Sequence, residues 1–360
     1  MGRMTPGAVL AAGACALAAI AVWGASPAGR AADEKGVRLV SDDAKRRVDV
    51  YVDGQPFTAY VYPAALTKPV LFPLRSAKGT PVTRGFPLEP RAGERVDHPH
   101  QVGLWFTYGD VNGTDFWNNS DAIKPEDRPK MGTIVHKGVT AVRSGAGKGE
   151  LEVDMDWVLA DGRGPVVLKE HTVFVFRGGP AWRSVDRITR LQALGDRVAF
   201  TDNKEGLIGL RVARQLEIPT TRPEVFTDAS GRATAVASMD NAGVNGDYLT
   251  SEGKEGDAAW GTRGRWCLLS ATIGDEPVTV AILDHPANPG YPTYWHARGY
   301  GLFAANPLGQ KALSDGKEEL NFALEPGKSA TFRYRILILS EPAGAERAEA
   351  AFKEFVAAYK

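Results

Sequence analysis

The sequence predicts an all-β protein, an antiparallel β-sandwich with one helix at the C-terminus. Apolar and polar residues alternate with the two-residue period of β-strands in several segments. The 360 residues include 40 glycines and 23 prolines, which suits the many turns that join short strands. One stretch near the C-terminus has the period of an amphipathic helix, whereas no alternation of strands with helices is evident.

The alternating segments predict hairpins first. Residues 47–52 alternate, Asp53-Gly54 supplies a turn, and apolar residues return at positions 57, 59 and 61. Residues 150–157 and 166–176 flank a second turn at 161–164 in the same way. Further strands are predicted at 186–191, 278–283 and 331–339. The apolar stripe Ala348, Ala351, Phe352, Phe355, Val356 and Tyr359 predicts a helix from about Ala345 to Tyr359.

The N-terminus has the order of a cleaved secretion signal. Arg3 precedes an uncharged apolar stretch at 8–23, and small residues follow as far as residue 32. We therefore expect residues 1–32 to be removed and the protein to be periplasmic or extracellular, with an uncleaved anchor or a lipoprotein modified at Cys15 as alternatives. Residues 33–360 are predicted to form a single β-sandwich domain, with a loop-rich excursion near 220–261. No apolar run after the signal is long enough to span a membrane.

The charge balance and the cysteine content indicate which partners and which disulfides to expect. Lys plus Arg number 43 and Asp plus Glu number 43, so the net charge is zero, which argues against a nucleic-acid partner. Cys267, the one cysteine outside the signal, lies between Trp266 and Leu268. This setting predicts a buried apolar cysteine and no internal disulfide.

The first of three polar clusters contains His98 and His100 beside tryptophans. Pro99 favours an extended conformation at His98, which would point the two histidines in the same direction. Such a pair could bind a metal or donate to a substrate. The cluster also offers flat apolar faces at Trp105 and Trp117, and polar acceptors at Asp110, Asn112 and Asp115. A polar loop whose His and Asp residues cap turns is the structural alternative.

Two further clusters carry charged groups next to aromatic residues. In the second, Lys204 and Glu205 are candidates for acid–base or ion-pair roles, and Arg211 could bind an anion or orient Glu205. In the third, His296 and Arg298 have the i, i+2 spacing of one strand face. Its remaining candidates are Trp295, Tyr300 and Asn306. A surface salt bridge at Lys204 and a core histidine at His296 are the structural alternatives.

Together the clusters have the composition of a carbohydrate site, in which aromatic rings stack on a sugar and polar groups bind its hydroxyls. The leading hypothesis is an enzyme that acts on a sugar or glycoside, with His98, His100 or His296 as acid or base and Glu205 as the complementary base. In it, Arg211 or Arg298 would hold a carboxylate or a hydroxyl. The alternatives are a non-catalytic sugar-binding module with a platform of Trp105, Trp117 and Trp295, and a metal-dependent enzyme with His98 and His100 as ligands. A divalent metal is possible but not required, and the ligand is expected to be a small molecule or an oligosaccharide.

The clusters also resemble a family of exported bacterial proteins known as PmoA-like, or methane oxygenase-like. The resemblance runs from about Lys68 to about Gly309, through Thr83-Arg84-Gly85-Phe86-Pro87, Asp97-His98-Pro99-His100, Asp115-Phe116-Trp117, Lys204-Glu205-Gly206, Ala259-Trp260-Gly261 and Trp295 to Gly309. Gln101 departs from the pattern, because many members have a further histidine there. The name implies methane oxidation, which a chain without spanning helices contradicts. The strand pattern and the His/Glu/Arg set are similar, at the level of the fold, to galactose-mutarotase-type β-sandwiches, which include sugar epimerases and polysaccharide lyases.

Overall fold

The computed structural model describes residue 2, residues 35–237 and residues 240–360. The predicted signal segment, 1–32, lies outside the described residues except for Gly2. In the described part, the strands in chain order are β1 (Val37–Asp42), β2 (Arg47–Val52), β3 (Gln55–Val61), β4 (Val70–Leu71), β5 (Leu104–Tyr108), β6 (Thr133–Arg143), β7 (Gly149–Val158), β8 (Val166–Gly179), β9 (Trp182–Ala193), β10 (Val198–Phe200), β11 (Gly206–Arg211), β12 (Glu224–Thr227), β13 (Ala233–Val236), β14 (Asp247–Thr250), β15 (Arg263–Gly264), β16 (Trp266–Ile273), β17 (Glu276–Asp284), β18 (Thr293–Arg298), β19 (Leu302–Asn306), β20 (Phe322–Leu324) and β21 (Ser329–Leu339).

Helices are few in these ranges. Two are single turns, α1 (Leu159–Gly162) and α2 (Gln310–Leu313), and the third is the C-terminal helix α3 (Ala345–Ala358). Short 3₁₀ turns occur at Arg128–Lys130, Arg214–Leu216 and Gly256–Ala259. The predicted all-β class and the single substantial helix are therefore confirmed.

Two large antiparallel sheets form the sandwich. The front sheet has nine strands in the order β1-β2-β3-β4-β5-β11-β19-β18-β15, and the back sheet has eight in the order β14-β16-β17-β21-β9-β8-β7-β6. Both predicted hairpins are present, β2 with β3 and β7 with β8. The pairs β10-β20 and β12-β13 form separate small sheets.

Side chains alternate along each strand, so successive residues pack on opposite sides of the sheet. On β21, Phe332, Tyr334 and Ile336 face the core between the sheets, while Leu337 and Leu339 face the opposite side. That outer side is covered by the apolar stripe of α3, including Phe352 and Phe355. Because apolar area is removed from water on both sides of the back sheet, α3 completes a third layer. Cys267 is fully buried in the core between the sheets, as predicted.

The excursion at 220–261 contains the hairpin β12-β13, the edge strand β14 and one 3₁₀ turn. β14 pairs with β16, so the excursion returns to the back sheet. No helix among the described residues is long and apolar enough to cross a membrane.

The outer face of the front sheet positions the candidate site. Trp105, Gly209, Ala304 and His296 are cross-strand neighbours on β5, β11, β19 and β18. Two residues further along, Arg211, Leu302 and Arg298 form a second cross-strand row. Since residues two apart on a strand share a face, both rows face the same side of the sheet.

Candidate functional site

The loop that precedes β5 is built around the buried Arg84. Its guanidinium, 1% exposed, donates to the backbone oxygens of Asp97, His98 and Gln101 at 2.8–3.0 Å. One side chain therefore fixes three carbonyl oxygens of a loop that has no regular secondary structure of its own. Arg84 was not among the predicted site residues, although its motif, Thr83 to Pro87, was part of the family resemblance.

Asp97 joins this loop to the front sheet. Its Oδ1 accepts from Arg84 at 2.8 Å and from Arg211 of β11 at 2.6 Å. Its Oδ2 lies 2.7 Å from Nδ1 of His98. Burial alone would raise the pKa of the Asp97 carboxyl, but the His98 hydrogen bond and the two arginines hold that pKa well below its usual range.

His98 is the exposed member of this arrangement. Its side chain is 42% exposed, and its Nδ1 faces Asp97, which leaves Nε2 for solvent or a ligand. The expected extended conformation at His98 is wrong, because its φ is 44°, in the left-handed region. The amide of Gln101 donates to the carbonyl oxygen of His98, so Pro99 occupies the second position of a turn and not a strand.

The stack beside His98 includes two predicted residues. The His98 ring lies on that of Tyr300 with centroids 5.2 Å apart, and Arg211 lies 4.8 Å from the Tyr300 centroid. His98 and His100 remain neighbours, with centroids 5.6 Å apart. The turn therefore brings the two histidines together, although the strand geometry assumed for them is absent.

His100 lies in a different environment from His98. Its side chain is buried next to Lys68, and both line a small cavity of about 80 Å³. Burial lowers the pKa of His100 to about 2, and the nearby Lys68 charge acts in the same direction. Burial lowers the pKa of Lys68 itself to about 7, against the charge of Asp115. His100 is therefore neutral at pH 7, and Lys68 is a site neighbour that sequence analysis did not select.

Glu205 and His296 form a second carboxylate–imidazole pair. The Glu205 Oε2 lies 3.9 Å from Nδ1 of His296, and its Oε1 accepts from Lys204. Burial lowers the pKa of His296 to about 3, and the charges of Arg298 and Lys204 add to this effect. The Nε of Arg298 donates to Nε2 of His296 at 3.4 Å. The neutral imidazole therefore carries its proton on Nδ1, the nitrogen on the Glu205 side.

The two pairs belong to one electrostatic neighbourhood. The charge of His98 adds to the burial effect that lowers the pKa of His296. Likewise, burial raises the pKa of Tyr300, and the Glu205 charge reinforces that rise. Tyr300 and Arg298 also line a common cleft of about 430 Å³. Contacts and charge interactions thus connect eight predicted residues, namely His98, His100, Lys204, Glu205, Arg211, His296, Arg298 and Tyr300, but His100 lines a different cavity from Arg298 and Tyr300.

The three predicted stacking tryptophans are inaccessible. Trp105, Trp117 and Trp295 are each 0% exposed. Trp105 packs against Trp117 in a buried apolar cluster on the outer side of the front sheet, whereas Trp295 packs in the core between the two sheets. The platform expected for a sugar-binding module is therefore wrong for these residues, because apolar side chains cover Trp105 and Trp117 and the core between the sheets encloses Trp295. The partly exposed Trp260, in the cleft, was missed, although its Ala-Trp-Gly motif contributed to the resemblance.

Four predicted polar residues form hydrogen bonds with backbone groups, three of them within turns. Asp110 accepts from the amide of Gly113, and Asn112 accepts from the amide of Ala199. Asp115 accepts from the amides of Trp117 and Asn118. The Asn306 side chain donates to Asn203 and accepts from Leu308 and Gly309. Their polar atoms are taken up by backbone groups. Asp110 and Asp115, which belong to the first cluster, therefore follow the turn-capping alternative.

The described residues contain no arrangement of side chains typical of a metal centre. No group of three or more His, Cys, Asp or Glu side chains with a metal-binding arrangement occurs there. His98 uses its Nδ1 for Asp97, and His100 faces Lys68. The His98/His100 pair therefore has no third protein ligand in the described part of the chain.

Several solved structures align with most of this chain at low sequence identity. An α-galactosidase from Geobacillus stearothermophilus is 10% identical, with 85% of this chain and 41% of that chain covered and a TM-score of 0.39. A galactose mutarotase-like protein from Clostridium acetobutylicum is 9% identical, with 85% and 98% covered and a TM-score of 0.33. The Slr1438 protein from Synechocystis is 12% identical, with 86% and 98% covered and a TM-score of 0.36.

No curated protein matches the sequence. A family model matches residues 47–353, and its description carries no methane-oxygenase name. The chain belongs to the Family of unknown function (DUF6807).

Proposed function

We propose that this chain is a carbohydrate-active enzyme that transfers protons at a sugar on the outer face of the front sheet. The observation that carries the proposal is the Asp97–His98 contact of 2.7 Å, with Nε2 of an exposed imidazole left free. A carboxylate that fixes Nδ1 of a histidine sets its tautomer, so that Nε2 can accept a proton and then return it.

The second pair supplies the complementary acid–base group, and in it the carboxylate, not the imidazole, is the more exposed partner. In Asp97–His98 the imidazole is more exposed than the carboxylate, at 42% against 25%. In Glu205–His296 the carboxylate is more exposed, at 16% against 2%. A bound sugar would therefore meet His98 from one pair and Glu205 from the other. His296 acts as a positioning residue, because its low pKa keeps it neutral while Arg298 fixes its ring.

The reaction class is a proton transfer at a sugar oxygen or at the carbon next to it. Mutarotation, epimerisation, elimination and glycoside hydrolysis all need one group that accepts a proton and one that donates it. The sugar-binding module without catalysis is less well supported, since the tryptophans that would form its platform are buried.

The test compares turnover of aldoses, uronates and their glycosides by wild type and matched variants. His98→Ala and Glu205→Gln should each reduce turnover by roughly 10²–10⁴-fold, the usual contribution of a positioned acid or base. The control is His171→Ala, because His171 also binds an aspartate through Nδ1, Asp154 at 2.8 Å, but lies on the back sheet. Equal losses in all three variants, or none in the first two, would contradict the proposal.

We further propose that the protein is exported, on the basis of the charged, apolar and small-residue order at positions 1–32. N-terminal sequencing of protein from the cell envelope should give a chain that starts near residue 32 or 33. Recovery of Met1 on cytoplasmic protein would overturn this part of the proposal.

A further inference from the structure

The two arginines expected to hold a ligand have different partners. Arg211 is 0% exposed, and its guanidinium is taken up by Asp97 and Gln101. Arg298 is partly exposed and forms no ion pair with any described residue. Of the two, Arg298 is therefore the one whose charge remains available to a ligand.

Contacts on two sides fix the orientation of the Arg298 guanidinium. Its Nε donates to His296, and its Cζ lies 4.9 Å from the ring centroid of Trp260. Neither terminal nitrogen has a hydrogen-bond partner among the described residues. A planar guanidinium held at Nε and on one face presents its remaining nitrogens as a fork, which suits a carboxylate better than a point charge would.

The cleft next to this fork has the size of a small-molecule site. Its volume is about 430 Å³, and Trp260 and Tyr300 contribute aromatic surface to it. A second cation, Arg222, also lines the cleft and forms no ion pair within the described ranges. Rings and cations in one cleft are the groups that bind a sugar carrying negative charge.

Two carboxylates of the same cleft limit how much negative charge a ligand can carry. Glu224 is paired with the buried Arg95, whereas the exposed Asp257 has no cationic partner in the described chain. Asp257 would repel a ligand with several negative charges, but it can accept hydrogen bonds from sugar hydroxyls. A ligand with a single carboxylate therefore fits this charge pattern better than a polyphosphate.

We propose that the cleft recognises an acidic sugar, a uronate, whose carboxylate binds the terminal nitrogens of Arg298 in a bidentate manner. This inference rests on the proposed function and specifies its substrate class. Since the Nε of Arg298 also donates to His296, the same guanidinium would connect the bound carboxylate to the His296 ring.

The experiment uses the full chain and calorimetric titration with methyl glycosides of glucuronic, galacturonic and mannuronic acid, each beside its own methyl ester. The ester keeps the ring and removes the charge. At least one acid should bind tenfold or more tightly than its ester, and Arg298→Gln should abolish that difference, because it weakens binding of the acid more than binding of the ester. Arg298→Lys should recover only part of it, because a single ammonium lacks the fork.

Arg263→Gln is the matched control. Arg263 also lies over an aromatic ring, that of Tyr294 at 5.2 Å, but it is paired with Glu318 and does not line the cleft. This variant should bind acid and ester as wild type does. Equal binding of acid and ester by wild type overturns the uronate proposal and leaves the proposed function standing. Absence of binding by every sugar, together with absence of turnover, overturns both.

Discussion

The imidazole of His98 lies parallel to the phenol ring of Tyr300, with centroids 5.2 Å apart and 4° between the ring planes. Arg211 contacts the same phenol ring, and Asp97 links Arg211 to His98 through its two oxygens. The exposed histidine is thereby fixed both in its plane and at its Nδ1. Such preorganisation is what an acid–base group needs, because its geometry is set before the ligand arrives.

Asp97→Asn should destabilise the fold by about 3 kcal/mol. Arg84 and Arg211 are 1% and 0% exposed, and the substitution leaves two buried cations without their carboxylate partner. Urea unfolding of the purified protein measures the change. Asp49→Asn is the control, because its pair with Arg47 is partly solvent-exposed and should contribute at most about 1 kcal/mol. A smaller loss for Asp97→Asn than for the control would contradict the structural role assigned to Asp97.

Gly209→Ala should destabilise by about 1–3 kcal/mol, because its new methyl group would lie 2.5 Å from Cζ2 of Trp105. Trp105 is fully buried and cannot move aside freely. Gly138→Ala, also in a strand, is the control, since no atom lies within 4 Å of the added group. Thermal unfolding should separate the two variants clearly. Equal melting temperatures would mean that Trp105 does not occupy the space above Gly209.

Asp284 should make stability depend on pH. Burial raises the pKa of Asp284 to about 7, whereas an unfolded aspartate has a pKa near 4. The folded state therefore binds more protons between these values, so its stability falls as pH rises from about 4 to 7. The slope should not exceed about 1.4 kcal/mol per pH unit for one proton. Measured across this window, the stability advantage of wild type over Asp284→Asn should shrink as pH rises. Parallel curves would show that Asp284 is not protonated in the folded state.

Tyr359→Phe should cost about 1–2 kcal/mol, because its hydroxyl donates to the buried Asp186 at 2.7 Å. Asp186 retains its arginine partners, so the fold should survive the substitution. Tyr51→Phe provides the control, since the Tyr51 hydroxyl has no hydrogen bond to the described protein. Chemical denaturation that leaves both variants equally stable would exclude an anchoring role for the end of α3.

Local patterns predicted the fold well because strand alternation is a local property. The stripe at Ala348 to Tyr359 predicted α3, which ends at Ala358, one residue before the expected end. The hairpins followed from turn residues such as Asp53-Gly54. Sheet order could not be predicted, because the pairing of β5 with β11 joins residues about one hundred positions apart.

The site was predicted only in part, for the same physical reason. His98, Glu205 and Arg298 were selected as candidates by their polarity next to aromatic residues. Trp105 and Trp117 were misplaced, because strand alternation does not show that loops cover the outer face of the front sheet as well. Arg84 was missed, since only the folded loop shows that its guanidinium binds three carbonyl oxygens.

The burial of the tryptophans also determines the intrinsic fluorescence of the protein. Trp105, Trp117, Trp157 and Trp295 are screened from solvent, and the partly exposed Trp182 lies in a different groove, against the C-terminal helix. Trp260 is the one described tryptophan that lines the cleft beside Arg298. Its emission can therefore report occupancy of the cleft over a nearly constant background from the other indoles. The substitution Trp260→Phe would keep an aromatic ring next to Arg298 and remove the fluorescence change that reports ligand binding in the cleft.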